Sequence, residues 1–290
     1  MKRIDLKTKR GIISTCFWEG PKGAPVLHWA HANGFNGQTY ASLLSKLKSS
    51  FNIYAWDTPG YGKSKIGQNY DADNPVLGYA RDLKALIETL YKRHNRKILL
   101  AGHSMGGSLS IMISSSIKEK IAGLILADPV IINFRYKYFT RFLGPLGYVS
   151  STIRLTNQAL NKRDKWDNFE QIVNSYKGRG AFKTWRKEFL TDYLKGGTIK
   201  EKDFIRLSCK PEIEAASFKS AELVATPNII NNIDVPITLM IAEYNSTTSA
   251  QKSFKALKTT KKIIVANQGS HFFPMELPEL VIKEIKSFNL

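Results

Sequence analysis

The stretch Ile98-Leu-Leu-Ala-Gly-His-Ser-Met-Gly-Gly107 decides the fold. Its first four residues, Ile98 to Ala101, are apolar without a break, as in a short strand buried on both faces. Gly102-His103-Ser104-Met105-Gly106 then makes a sharp turn, and Gly107 through Ser114 continue in a helix-compatible pattern. A serine at the apex of so tight a turn is backbone-strained and draws its neighbours two residues either side together. Only small residues fit there, and Gly102 and Gly106 occupy both places.

The pattern is G-x-S-x-G, and its confirming context is a strand before and a helix after. Such a turn presents the Ser104 hydroxyl and leaves the Met105 N–H at a helix N-terminus, where it can donate to a developing oxyanion. Upstream, residues 2–8 and 11–18 alternate around Lys9-Arg10-Gly11 and read as an antiparallel pair at a sheet edge. Val26–Ala30, Phe51–Trp56 and Ile121–Leu126 are further apolar strands. Helical spacing fills about Gln38–Leu47, residues 75–93 and the stretch from the serine turn to about Ile117. The rhythm is βαβαβαβ, which predicts a doubly wound, mostly parallel α/β sheet with helices on both faces. It breaks from 131 to 232, where helical, aromatic-rich patterns contain no parallel strand. It resumes with strands at Val235–Ala242 and Lys262–Ala266, a helix near 249–258 and a last helix from about Pro278 to Phe288. One core domain, 1–130 with 233–290, and a helical insertion of residues 131–232 follow from that interruption.

At 290 residues, 43% hydrophobic and 23% charged, the chain has the composition of a soluble globule. No apolar run reaches membrane-span length, and the opening Met1-Lys-Arg-Ile-Asp-Leu-Lys lacks a signal-peptide core, so a cytoplasmic location is expected. Two cysteines, Cys16 and Cys209, make no disulfide framework, and they stand in no metal-ligand spacing. The formal charge of +19 comes from lysines and arginines scattered along the whole length, without a basic block or RNA-binding signature. A solvated basic surface is the plainer reading, and no nucleic-acid partner is expected.

Four stretches together resemble the α/β-hydrolase superfamily: His31-Ala-Asn-Gly-Phe-Asn, Asp57-Thr-Pro-Gly-Tyr-Gly-Lys-Ser, Gly102-His-Ser-Met-Gly-Gly and Gly269-Ser-His271-Phe-Phe-Pro-Met-Glu-Leu-Pro. Each follows the appropriate strand, and the likeness covers nearly the whole chain outside the insertion. It implies an α/β-hydrolase fold of the serine esterase/lipase-like branch, with the insertion as a helical cap and no metal or organic cofactor. Ser104 is then the nucleophile and His271, in the loop after the last strand, the base. The third member is read as Asp128, which closes the sixth strand. The alternative is Glu243, which follows the seventh, near Asn245, where the family more often has its aspartate. An amide there is a poor substitute, because it cannot stabilise the imidazolium as a carboxylate does. The Met105 N–H and, from the loop after the third strand, the Phe35 N–H are the expected oxyanion donors. His103 reads as structural, His28 and His31 as packing around the oxyanion loop, and Asp57 as part of a structural turn. His94, at a polar helix end, needs no special role.

In the insertion, Phe134, Tyr138 and Phe142 fall at helical spacing beside Phe139 and Leu143, with Arg135, Lys137 and Arg141 interleaved. Cap packing, an apolar lid face and a base-stacking groove all fit that pattern. Trp166, Phe169, Trp185 and Phe189 repeat it and suggest an apolar acyl or aromatic pocket. The expected activity is hydrolysis of a small-molecule carboxylic ester, short to medium in its acyl part or aromatic, through an acyl-enzyme. Thioester, lactone, amide or carbon–carbon cleavage use the same parts, and a non-catalytic ligand receptor is the alternative from outside enzymology. The oligomeric state is left open.

Overall fold

Along each central strand the side chains alternate between two buried faces. Ile98 and Leu100 enter one hydrophobic cluster while Leu99 and Ala101 enter the other; Leu124 and Leu126 likewise oppose Ile125 and Ala127. Both faces therefore carry helices, which is why these strands are apolar at every position. The structure, a computed structural model, describes residues 1–67, 70–131, 148–220, 227–249 and 251–289.

The strands in chain order are β1 (Lys2–Thr8), β2 (Gly11–Trp18), β3 (Val26–Ala30), β4 (Asn52–Trp56), β5 (Ile98–His103) and β6 (Ile121–Ala127). Three short strands follow, β7 (Lys165–Trp166), β8 (Thr198–Lys200) and β9 (Ile205–Leu207), then β10 (Ile237–Tyr244) and β11 (Thr260–Ser270). Eight of them make one sheet in the order β1-β2-β4-β3-β5-β6-β10-β11. β1 pairs antiparallel with β2 and β2 with β4, and every other pairing is parallel. This is the α/β-hydrolase arrangement. The helix Pro75–His94 and the helix Met105–Ser114 cover one face; Leu43, Leu44 and the C-terminal helix Pro278–Lys286 cover the other.

Two elements differ from the sequence reading. The region read as a helix from Gln38 is three short turns, Gly37–Tyr40, Ala41–Leu44 and Ser45–Leu47, started by a reciprocal Asn36–Thr39 capping box. β11 runs on to Ser270, past the apolar core at Lys262–Ala266, and so ends directly at His271.

Between β6 and β10, residues 148–220 form helices and connecting loops together with β7, β8 and β9, which make a small antiparallel sheet. Strands of two or three residues are too short to show alternation, so no sequence pattern marked them. The Phe134–Leu143 aromatic and basic series lies outside the described residues. The segment is pinned to the main sheet near the end of β3. Asn36 Nδ2 donates to the Tyr193 carbonyl (3.1 Å), and Asp192 accepts from the Ser42 N–H (2.8 Å) and hydroxyl (2.6 Å). Asp57 is fully buried and structural: it accepts from the Gly37 and Lys63 N–H groups and pairs with Arg3. No described helix is long and apolar enough to cross a membrane.

Candidate active site

Ser104 sits between β5 and the helix Met105–Ser114 with φ 54° and ψ −120°, a conformation that side chains rarely adopt. The turn closes because its flanks have no side chain. A Cβ on Gly102 would fall 2.6 Å from the Gly106 carbonyl carbon, and one on Gly106 would fall 2.2 Å from the Ala30 carbonyl oxygen. The Ser104 N–H donates to the Ala127 carbonyl (3.0 Å), which fixes the turn against the end of β6.

Three strand ends bring distant residues together at the Ser104 hydroxyl. His271, after β11, holds Nε2 3.0 Å from Ser104 Oγ, and its Nδ1 lies 2.6 Å from Asp128 Oδ2. A carboxylate only accepts, so Nδ1 carries the imidazole proton and Nε2 is free to accept from the serine. Asp128, after β6, is therefore the carboxylate on the histidine. Glu243 is turned elsewhere: it is exposed and accepts from the Gln268 N–H.

Asp128 is fully buried yet keeps its charge. Burial pushes its pKa up, but hydrogen bonds from His271, Ser246 and the Thr247 N–H outweigh that and hold it below the ordinary value. Oδ1 accepts from Ser246 Oγ (2.5 Å) and the Ala242 N–H (3.1 Å), while Oδ2 accepts from the Thr247 N–H (2.9 Å). These donors come from the end of β10. Exposed Asn245, with φ 54°, turns the chain so that Ser246 and Thr247 fold back onto the neighbouring strand's aspartate. The strand end that commonly supplies the acid supplies hydroxyls instead. The run Ser246-Thr-Thr-Ser249 was the visible signal for this, and sequence reasoning missed it.

His103 is buried beneath the site and neutral, since burial pushes it down to about 3. Its Nε2 donates to the His271 carbonyl (2.7 Å), and its Nδ1 accepts from the Tyr40 hydroxyl (2.8 Å). Tyr40 in turn accepts from the Ala32 N–H (3.2 Å). One unbroken row of bonds thus joins the loop after β3 to the loop that carries His271. His31 is also buried, accepting from the Thr58 N–H at Nε2 (3.0 Å), while no described residue bonds either ring nitrogen of His28. His94 Nε2 meets the Tyr54 hydroxyl at 2.9 Å.

The loop after β3 departs from expectation at Phe35. Its N–H donates to the Ala32 carbonyl at 3.2 Å within a tight turn, so it is already engaged. No described residue accepts from the Asn33 N–H, and Asn33 lines the same cavity as Ser104. Met105 begins its helix, where an N–H has no intrahelical acceptor.

A cavity of about 710 Å³ opens over Ser104 and His271. Its aromatic lining is Phe35, Phe182, Tyr193, Phe218 and Phe272. Of the aromatic residues singled out from spacing, the four that are described are not part of it: Trp166, Trp185 and Phe189 are buried in packing, and Phe169 packs partly buried against the same cluster. Trp185 stands edge-on to Phe35 at 5.1 Å, one layer back from the cavity. Spacing located the aromatic-rich segment; which ring faces inward depends on how its helices dock. Cys16 and Cys209 are free and buried, and among the described residues no group of His, Cys, Asp and Glu is arranged to hold a metal.

Comparison with known proteins agrees with the fold. Candidate esterase/lipase 2 of Mycoplasma pneumoniae is 26% identical over 212 residues, covering 67% of this chain and 74% of that protein. Monoglyceride lipase of Rattus norvegicus is 30% identical over 120 residues, 40% of this chain and 39% of the lipase. Protein phosphatase methylesterase 1 of Bos taurus is 26% identical over 133 residues, 45% of this chain and 34% of that enzyme. The match thus spans only about a third of the length of the methylesterase and little more of the lipase. Among solved structures, E-2-(acetamidomethylene)succinate hydrolase superposes with a TM-score of 0.80 at 15% identity, covering 99% of this chain and 98% of that one. The thioesterase domain from the curacin biosynthetic pathway gives 0.74 at 19%, with 99% of each chain covered. Residues 25–175 match the family described as serine aminopeptidase, S33, and the chain belongs to that family of α/β-hydrolases.

Proposed function

We propose that this protein is a serine hydrolase that cleaves a carboxylic ester, short to medium in its acyl part or aromatic, through an acyl-enzyme. The observation that carries the reading is the hydrogen-bonded row Ser104–His271–Asp128 at the floor of an apolar cavity. Ser104 Oγ attacks the ester carbonyl carbon while His271 Nε2 takes its proton, and the buried Asp128 carboxylate stabilises the imidazolium. The carbonyl oxygen, now an oxyanion, accepts from the Met105 N–H and from the Asn33 N–H, which takes the place expected of Phe35. Collapse expels the alcohol with the proton held on His271. Water then attacks the acyl-enzyme, again deprotonated by His271, and Ser104 is restored. The names of the relatives, an esterase/lipase, a lipase and a methylesterase, support an ester as the substrate. Residues 131–232 serve as a cap over the core formed by 1–130 and 233–290, because residues on both sides line the cavity.

A second reading, amide cleavage, draws on the family description, which names an aminopeptidase. Matched ester and anilide substrates of one acyl group separate the two, and the ester is expected to turn over faster. The primary test is intact mass after exposure to a fluorophosphonate, on wild type and on Ser104→Ala. An adduct on the wild type alone supports an activated serine; absence from both rejects the enzyme reading in favour of a ligand-holding scaffold.

A further inference from the structure

Among the described residues, the cavity wall carries one charged pair. Lys162, just beyond the helix Tyr148–Leu160, and Glu214, on the helix Pro211–Lys219, both line the cavity. Lys162 Nζ lies 3.1 Å from Glu214 Oε2 and 3.4 Å from the Tyr193 hydroxyl oxygen, and the two charged side chains are only 21% and 13% exposed. Burying a lysine and a carboxylate together gains little stability over apolar residues of the same size. Their presence among aromatic rings therefore calls for another account.

Their position supplies it. The pair sits against the turn that follows β3: a Cβ on Gly34 would fall 2.7 Å from Glu214 Oε1, and Asn33 Nδ2 donates to the Glu214 carbonyl at 3.3 Å. The bonding capacity of the pair is incompletely used. Oε2 is taken by Lys162, but no described donor reaches Oε1. The ammonium has three protons for Oε2 and Tyr193, with the Tyr176 ring 5.9 Å away on a further side. A donor and an acceptor are thus left side by side at the edge of an apolar cavity, next to the turn that follows β3.

We propose that Lys162 and Glu214 form a recognition subsite for a neutral hydroxyl group carried by the ester substrate. The hydroxyl oxygen accepts from Lys162 Nζ and its proton goes to Glu214 Oε1. The pair has no net charge, so it matches a group that both donates and accepts. A carboxylate tail would bond Lys162 but confront Glu214, and an ammonium tail would confront Lys162. A cavity built to bond a hydroxyl discriminates strongly against the analogue lacking it, because its own polar atoms are then left unpaired.

This subsite rests on the ester-hydrolase reading, and the test separates the two. One aliquot of wild type is treated with a fluorophosphonate to score the adduct. On a separate, untreated sample, kcat/KM is measured on two matched pairs: butane-1,4-diol monobutyrate against butyl butyrate, and ethyl 6-hydroxyhexanoate against ethyl hexanoate. The first pair places the hydroxyl on the alcohol arm and the second on the acyl arm. In one pair the hydroxyl ester is expected to be preferred by about ten- to a hundredfold, and the ratio should fall close to unity in Lys162→Met/Glu214→Leu. Should that variant lose its native circular-dichroism spectrum, Glu214→Gln replaces it with the same expected fall in ratio. An adduct on the treated aliquot together with ester turnover but no hydroxyl preference in either pair on the untreated sample overturns the subsite and leaves the ester reading standing. A preference that survives in the variant also overturns it. No adduct on wild type removes both.

Discussion

At Asp128 two effects of opposite sign compete, and the hydrogen bonds win. The carboxyl titrates below its ordinary value of 3.8 in the folded chain, so the unfolded chain takes up the proton first as pH falls. Its contribution to stability is complete above 3.8 and is lost as pH drops through the lower folded value. Asp128→Asn removes both this contribution and the partner that holds the imidazolium. We expect kcat/KM on an ester to fall by about a thousand- to ten-thousandfold, whereas Glu243→Gln, which faces away, should change it less than about twofold. Steady-state kinetics on the two variants checks both. His28 poses the reverse case. It is fully buried with both ring nitrogens unbonded, so His28→Leu removes unpaired polar atoms and should stabilise the fold by about 1 kcal/mol in urea titration near neutral pH. At this scale the sequence favours Asp128 as the acid and keeps Glu243 as the alternative. Asp128 and Glu243 both sit at strand ends in the chain, and only the turn at Asn245 settles which carboxylate meets the ring.

The elbow between β5 and its helix was legible because its physics is local. Two glycines flanking a serine, an apolar run before and small residues after specify the turn without reference to the rest of the chain. The row Ala32–Tyr40–His103–His271 was not legible, since its members come from four separate elements and none is unusual in its own context. Both features yield expectations. Gly106→Ala places a methyl against backbone rather than a movable side chain, and should cost more than about 3 kcal/mol or prevent folding; yield and thermal melting report it. Tyr40→Phe removes one hydroxyl and leaves the Ala32 N–H and His103 Nδ1 unpaired in the interior, at about 1–3 kcal/mol. Because the row ends at the His271 carbonyl, kcat should fall with KM little changed, which loss of folded protein alone would not produce. The small β7-β9-β8 sheet escaped for the simpler reason that strands so short have no periodicity to read.

Taken whole, the molecule couples a neutral, buried set of imidazoles to a strongly basic surface. His28 and His103 are pushed down by burial to about 3, and His31 is lowered for the same reason. The unfolded chain binds these protons from the ordinary value of 6.5 downward, so stability is full above 6.5 and is lost progressively as pH falls toward 3. Thermal melting across that window should show the decline, and His28→Leu should flatten it. The net charge of +19 repels itself at low salt. Raising ionic strength from about 0.01 to 0.15 M shortens the screening length about fourfold, and the melting temperature should rise accordingly.

The contact between Gly106 and the Ala30 carbonyl has a mechanical corollary. With no atom to spare between them, the Ser104 turn and the amides beside the end of β3 form one stiff block, and neither shifts without dragging the other. Whatever breathing admits a reactant must be borne by the opposite wall, where the helix Tyr148–Leu160 meets the cavity. Amide hydrogen exchange should therefore be slowest along residues 99–107 and fastest across 152–162, dividing the pocket into an anvil and a hand.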